Sequence, residues 1–189
     1  MRIIAGKFKG SALYLPKNKN TRPLKDQVRE SIFNLLTHSN KISFKFEKSN
    51  ILDLYSGTGS FGLECLSRQA NDVCFVEKEK DAIKILKKNI GKLKLEKKTN
   101  IFVGNVFDII EKKNIFETKF ELIFCDPPFK SLNMKKLIEL IVNKNLLQKE
   151  GIIIFHRNKK TQDNFPNHFK TIDERTHGIS KIIFGKILL

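Results

Sequence analysis

From residue 50 onward, short apolar runs alternate with amphipathic stretches, and this alternation limits the possible folds more than any other feature. Residues 51–54, 72–76, 101–103, 121–125 and 151–155 read as buried strands. Between them, apolar residues recur at helical spacing. One such stretch follows a glycine-rich turn and reaches about Arg68, a second carries Ala82, Ile85, Leu86 and Ile90, and a third carries Leu137, Ile138, Leu140 and Ile141. Residues 168–172 and 179–189 read as two further strands with no helix between them. A strand joined to the next through a helix pairs with it in parallel, because the crossover must pass over a face of the sheet. The pattern predicts an α/β, doubly wound, mostly parallel sheet of seven strands whose closing hairpin adds an antiparallel member.

The first forty residues follow a different pattern. Residues 2–5 and 12–15 are β-like runs around Gly6 and Gly10, which suggests a hairpin. A polar stretch after Pro16 leads to Arg22-Pro23. Val28, Ile32, Leu35 and Leu36 then mark an amphipathic helix ending near Ser39-Asn40. A chain of 189 residues is one domain long. We therefore expect a single domain over 1–189, with an extension at 1–40 and a core at 50–189. No run approaches the roughly 18 apolar residues of a membrane helix, and lysines stand where a signal peptide would continue. The expected location is cytoplasmic, with no membrane contact. Cys65, Cys74 and Cys125 lie in apolar segments without metal-ligand spacing, so no metal is expected.

Between the first strand and its helix lies Asp53-Leu54-Tyr55-Ser56-Gly57-Thr58-Gly59-Ser60-Phe61-Gly62. Glycines let backbone turn tightly and approach a ligand, and a helix amino terminus offers free N–H groups. Glu77, about 20 residues on at the end of the next strand, is placed to accept hydrogen bonds from two ribose hydroxyls. This Rossmann-like arrangement suits a nicotinamide dinucleotide or S-adenosylmethionine alike. Asp53, at the mouth of the loop, separates them. A carboxylate there repels a pyrophosphate but favours a methionine moiety, with its ammonium beside a sulfonium. Asp53 can also hold the loop's own N–H groups, and both roles can coexist. S-adenosylmethionine is the expected cofactor, held by Asp53, Tyr55, Gly57, Gly59 and Glu77. Asn105 and Val106, after the third strand, lie where an adenine edge would sit. Asn105 reads equally as a turn residue following Gly104, and Phe107 packs on the adenine ring or in the core.

Asp126-Pro127-Pro128-Phe129 leaves the fourth strand. Two successive prolines fix φ and remove both N–H donors, leaving a rigid corner that presents acceptors. That suits an NH₂ group on an aromatic ring, whose delocalised lone pair makes it a poor nucleophile. Acceptors gripping both N–H bonds favour a pyramidal nitrogen with its lone pair aimed at a methyl donor. Positioning and electrostatics then dominate, and the methylated nitrogen is acidic enough to need no strong base. Phe129 would stack on an unpaired base. A strand-ending turn with a buried phenylalanine would look the same, and the preceding glycine loop and acidic ribose ligand favour the catalytic reading.

Together these residues resemble the RsmD-type 16S ribosomal RNA guanine-N2 methyltransferases. The likeness includes Arg2-Ile3-Ile4-Ala5-Gly6 with Gly10, Thr21-Arg22-Pro23, Val28-Arg29-Glu30 leading to Phe33-Asn34, and the loop and corner above. The amino-terminal segment is its specific part. The resemblance implies a class I S-adenosylmethionine-dependent methyltransferase fold with a hairpin-helix extension. It further implies methyl transfer to N2 of a guanine in 16S ribosomal RNA, within an assembling small subunit. It gives Asp53, the glycine loop, Glu77 and Asn105 to the cofactor, and Asp126, Pro127, Pro128 and Phe129 to the guanine. Two departures stand out. Leu24 replaces a small hydroxyl residue, and His177-Gly178 replaces a Tyr-Gly pair.

The net charge of +16 fits a polyanionic partner. Abundant Lys, Asn and Ile also arise from AT-biased coding, so charge suggests a partner without naming one. In the extension, Arg2, Lys7, Lys9, Arg22, Lys25 and Arg29 read as phosphate contacts, or each as part of a solvated basic face. His38, His156, His168 and His177 share no spacing, and no catalytic role is expected of them. Two other functions remain open, a DNA or protein-glutamine amino-methyltransferase and a nicotinamide-binding or non-catalytic nucleic-acid-binding protein.

Overall fold

In a computed structural model, which describes residues 1–16, 24–128 and 133–188, the apolar runs lie in one sheet. Its strands are β1 (Asn50–Leu54), β2 (Asp72–Glu77), β3 (Thr99–Val103), β4 (Phe120–Cys125), β5 (Leu147–Asn158), β6 (Phe169–His177) and β7 (Ser180–Ile187). They are ordered β3-β2-β1-β4-β5-β7-β6. β1 to β5 pair in parallel, and β7 runs antiparallel to both its neighbours. The helices are α1 (Asp26–His38), α2 (Ser60–Ser67), α3 (Lys80–Leu93), α4 (Val106–Glu111) and α5 (Met134–Asn143).

Alternate strand residues face opposite ways, and here both faces are covered. Ile51, Phe75, Phe124 and Ile154 pack in one core layer with α1, α2 and α3, where the rings of Phe61 and Phe124 stack at 3.9 Å. Leu52, Val76, Ile123 and Phe155 pack in the other layer, with α4 and α5.

Four elements differ most from expectation, and one is β6, which runs on to His177 rather than ending at Ile172. Helix α4 has six residues, and its three buried side chains span less than two turns, too few to show a period. β5 is longer than its apolar centre because Gln148, Lys149 and Glu150 continue it with exposed side chains. The amino-terminal hairpin is reduced to one antiparallel bridge, Arg2 to Ala12.

The hairpin is short because its backbone is paired elsewhere. The fully buried Glu64 carboxylate accepts from Ile4 N–H (2.7 Å) and Ala5 N–H (2.9 Å). Ser67 Oγ accepts from Phe8 N–H (3.0 Å), and Ser67 O accepts from Lys7 N–H (2.7 Å). Asn89 Oδ1 accepts from Tyr14 N–H (2.7 Å), and its Nδ2 donates to Thr58 O (3.1 Å), linking the extension to the glycine loop.

Arg29 is a correction. Its side chain is fully buried, donates to Arg2 O and to Asp26 Oδ1 (3.0 Å), and is pushed below the usual guanidinium range by burial. It tethers α1 to the hairpin and is not exposed to a phosphate. Of the two departures from the family pattern, one is buried and one is exposed. Leu24 is buried in the core layer with α1, and His177 Nε2 meets Ser31 Oγ at 2.7 Å, joining the β6–β7 turn to α1.

Candidate active site

Strand order reverses between β1 and β4, since the chain builds β1, β2 and β3 to one side and β4 and β5 to the other. Parallel strands diverge there at their carboxyl ends, leaving a crevice where such sheets take ligands. The glycine loop leaves β1 at this edge, and Asp126 leaves β4 beside it.

The loop is held from below. Ser56 N–H donates to Val76 O (3.1 Å) and Gly59 N–H to Ser56 O (2.8 Å). Gly59 caps α2 at φ +80, and a β-carbon there would lie 2.3 Å from Leu86 Cδ1. Gly57, at φ +54, has open space on its side-chain face. The first glycine leaves room for a ligand, and the second lets the loop close on α3.

Asp53 is buried, and its Oδ2 accepts from Gly62 N–H at 3.0 Å, so it holds the first turn of α2. Burial pushes its carboxyl well above the usual carboxylate range. The Gly62 bond opposes this, and the charges of Asp126 and Glu77 add to it. Glu77 is held by three backbone donors. Oε2 accepts from Gly57 N–H (2.7 Å), and Oε1 accepts from Lys78 N–H (2.8 Å) and Glu79 N–H (2.9 Å). Tyr55 sits half-buried at φ +59, its phenol pushed up by burial. Among the described residues, no Lys or Arg pairs with Asp53, Glu77 or Asp126. Of these three carboxyl groups, Asp53 and Glu77 are held by backbone N–H donors.

Asn105 caps α4, its Oδ1 accepting from Phe107 N–H at 2.9 Å. This is the turn role, and it leaves Asn105 exposed beside Val106 at the end of β3. The link from Gly104 N–H to Glu77 O (3.0 Å) fixes that end of β3 to the end of β2. Phe107 is partly buried against the second core layer.

Asp126 N–H donates to Leu54 O at 3.3 Å, joining the acceptor corner to the strand that feeds the glycine loop. Pro127 is buried and Pro128 exposed. The edge thus gathers Asp53, Tyr55, Gly57, Gly59, Glu77, Asp126, Pro127 and Pro128. Phe129 and Arg22 lie outside the described residues. Arg2, Lys7, Lys9 and Lys25 are exposed on the extension.

The sequence reading missed His156. Its Nδ1 meets Asp126 Oδ1 at 2.7 Å, and its Nε2 meets Ser180 Oγ at 2.9 Å, with His156 and Ser180 both buried. Cys125 pairs with Phe155, so one step further along β4 and β5 places Asp126 beside His156. The signal existed, but it required the register of the two strands.

The family model described as conserved hypothetical protein 95 matches residues 1–186. The chain belongs to this family, the RsmD-type proteins. Its relatives include ribosomal RNA small subunit methyltransferase D of Haemophilus influenzae, 31% identical over 95% of this chain and 90% of that protein. The protein of the same name from Buchnera aphidicola subsp. Baizongia pistaciae is 36% identical over 81% of this chain and 74% of that one. Among solved structures, the Escherichia coli protein yhhF, described as a methyltransferase, superposes with a TM-score of 0.83 at 26% identity. The match covers 99% of this chain and 97% of that one.

Proposed function

We propose that this RsmD-type chain transfers a methyl group from S-adenosylmethionine to the exocyclic N2 amino group of a guanine in 16S ribosomal RNA. The observation that carries the reading is the bond from Asp126 to Leu54. It places an acceptor-only corner beside an open glycine loop, where the order of the sheet reverses. The names of the small-subunit methyltransferase relatives support the RNA class.

The residues present fit a cationic cofactor. Gly57 leaves open space on the loop, and the acidic side chains of Glu77 and Asp126 bring negative charge to this edge, while the buried Asp53 holds Gly62 N–H. A pyrophosphate would meet that charge unfavourably, which argues against a nicotinamide dinucleotide. Asp53, Tyr55, Gly57 and Gly59 would hold the methionine end, Glu77 the ribose, and Asn105 with Val106 the adenine. When bound, S-adenosylmethionine supplies a methyl group on a positively charged sulfur.

The chain's own part is to grip and orient. Asp126 and the carbonyls of the proline corner accept from the two N–H bonds of the base and aim its lone pair. Burial of Pro127 holds that corner rigid. Phe129 stacks on the guanine. The exposed Arg2, Lys7, Lys9 and Lys25, with Arg22, meet phosphates of the RNA. The substrate is the RNA within an assembling subunit, and the setting is cytoplasmic.

A comparison of acceptors tests this. With labelled S-adenosylmethionine, small-subunit ribosomal RNA should take up label as N2-methylguanosine. Label in DNA or in a protein glutamine instead would overturn the substrate class. Binding of NADH in place of S-adenosylmethionine would overturn the cofactor.

A further inference from the structure

We propose that His156 and Ser180 form a positioning relay that fixes the Asp126 carboxylate for its substrate, an inference that rests on Asp126 gripping the amino group. Ionised Asp126 can only accept hydrogen bonds, so the 2.7 Å contact requires a proton on His156 Nδ1. The other ring nitrogen lies 2.9 Å from Ser180 Oγ. A hydroxyl can both donate and accept, so Ser180 satisfies Nε2 in either charge state of the imidazole and keeps the ring in one orientation.

The three groups come from three strands. Asp126 follows β4, His156 lies in β5, and Ser180 opens β7. β5 pairs with both of the other strands, and Asn158 stands opposite Ser180 in the β5–β7 ladder. The ring is therefore held by the sheet itself. His156 and Ser180 are 7% and 6% exposed, whereas the Asp126 side chain is 22% exposed. The relay thus lies behind the carboxylate, and the partly exposed Asp126 faces the crevice. With Oδ1 taken by His156, Oδ2 is left for a substrate N–H. A carboxylate free to rotate would lose that aim, and small displacements of a gripping group cost about 10- to 100-fold in rate.

A purely structural histidine would act on folding whatever stood at position 126. The test is a double-mutant cycle in single-turnover methyl transfer to small-subunit ribosomal RNA, using His156→Leu, Asp126→Ala and the double variant. S-adenosylmethionine affinity and melting temperature are measured alongside. His156→Leu should lower the rate about 10-fold or more at saturating RNA and cofactor, with cofactor affinity unchanged. In the Asp126→Ala background the same substitution should have little further effect. His156→Asn, whose side-chain amide can donate near the position of Nδ1, should recover much of the rate, and Ser180→Ala should lose less than His156→Leu. Equal losses from His156→Leu in both backgrounds, or no loss in the wild-type background, would overturn the relay. If His156→Leu fails to fold, His156→Asn and Ser180→Ala carry the test. A folded Ser180→Ala variant with the wild-type rate, alongside an inactive His156→Asn, would then overturn it. Absence of methyl transfer by the wild-type chain would instead overturn the proposed function.

Discussion

Asp53 shows how one side chain can serve the fold and the site with opposite consequences. Its buried carboxylate holds Gly62 N–H, yet burial and two neighbouring acidic groups disfavour its charge. A carboxyl whose pKa is raised on folding contributes most stability below its unfolded value, near 3.9, and loses that contribution as pH rises through the folded value. Asp53→Asn keeps an acceptor for Gly62 and removes the charge. The variant should therefore gain melting temperature relative to wild type, and the gain should widen as pH rises from about 4 to 8, which thermal unfolding across that range measures. A gain that narrows with rising pH would contradict this ionisation. Calorimetry on the same variant should show weaker S-adenosylmethionine binding if Asp53 also meets the methionine ammonium.

The glycine loop is an element whose two central glycines have different tasks. A β-carbon at Gly59 would strike Leu86 at 2.3 Å with φ already at +80, so Gly59→Ala combines overpacking and backbone strain. It should lower stability by about 2–4 kcal/mol in urea unfolding. Gly57→Ala meets open space and incurs the backbone cost of about 1–2 kcal/mol, so it should fold while binding S-adenosylmethionine less tightly. Similar stability losses in the two variants would contradict this division. The loop, the central strands and the closing hairpin were legible in the sequence because apolar runs and glycine spacing are local signals. The pairing of the amino-terminal hairpin was not, because its partners Glu64, Ser67 and Asn89 lie 59 to 75 residues away. Arg29 was read as a phosphate contact because its basic charge is visible in the sequence and its burial is not. His156 was passed over because its partner Asp126 becomes a neighbour through strand register, and Asn105 stayed ambiguous because capping a helix and meeting an adenine call for the same residue.

At the scale of the molecule, the extension and the sheet edge act together. Asn89 ties Tyr14 of the extension to Thr58 of the loop, so the basic segment is anchored beside the site. A net charge of +16 favours a polyanionic partner, and under the proposed function the proline corner would select an amino group at the edge of the sheet. The decisive measurement is made on the RNA. Small-subunit ribosomal RNA from cells lacking this protein should be missing N2-methylguanosine at one position. The purified chain should restore it with S-adenosylmethionine, and the Asp126→Ala variant should do so about 10²-fold more slowly. An unchanged set of methylated guanines in those cells, or full restoration by the Asp126→Ala variant, would contradict the assignment.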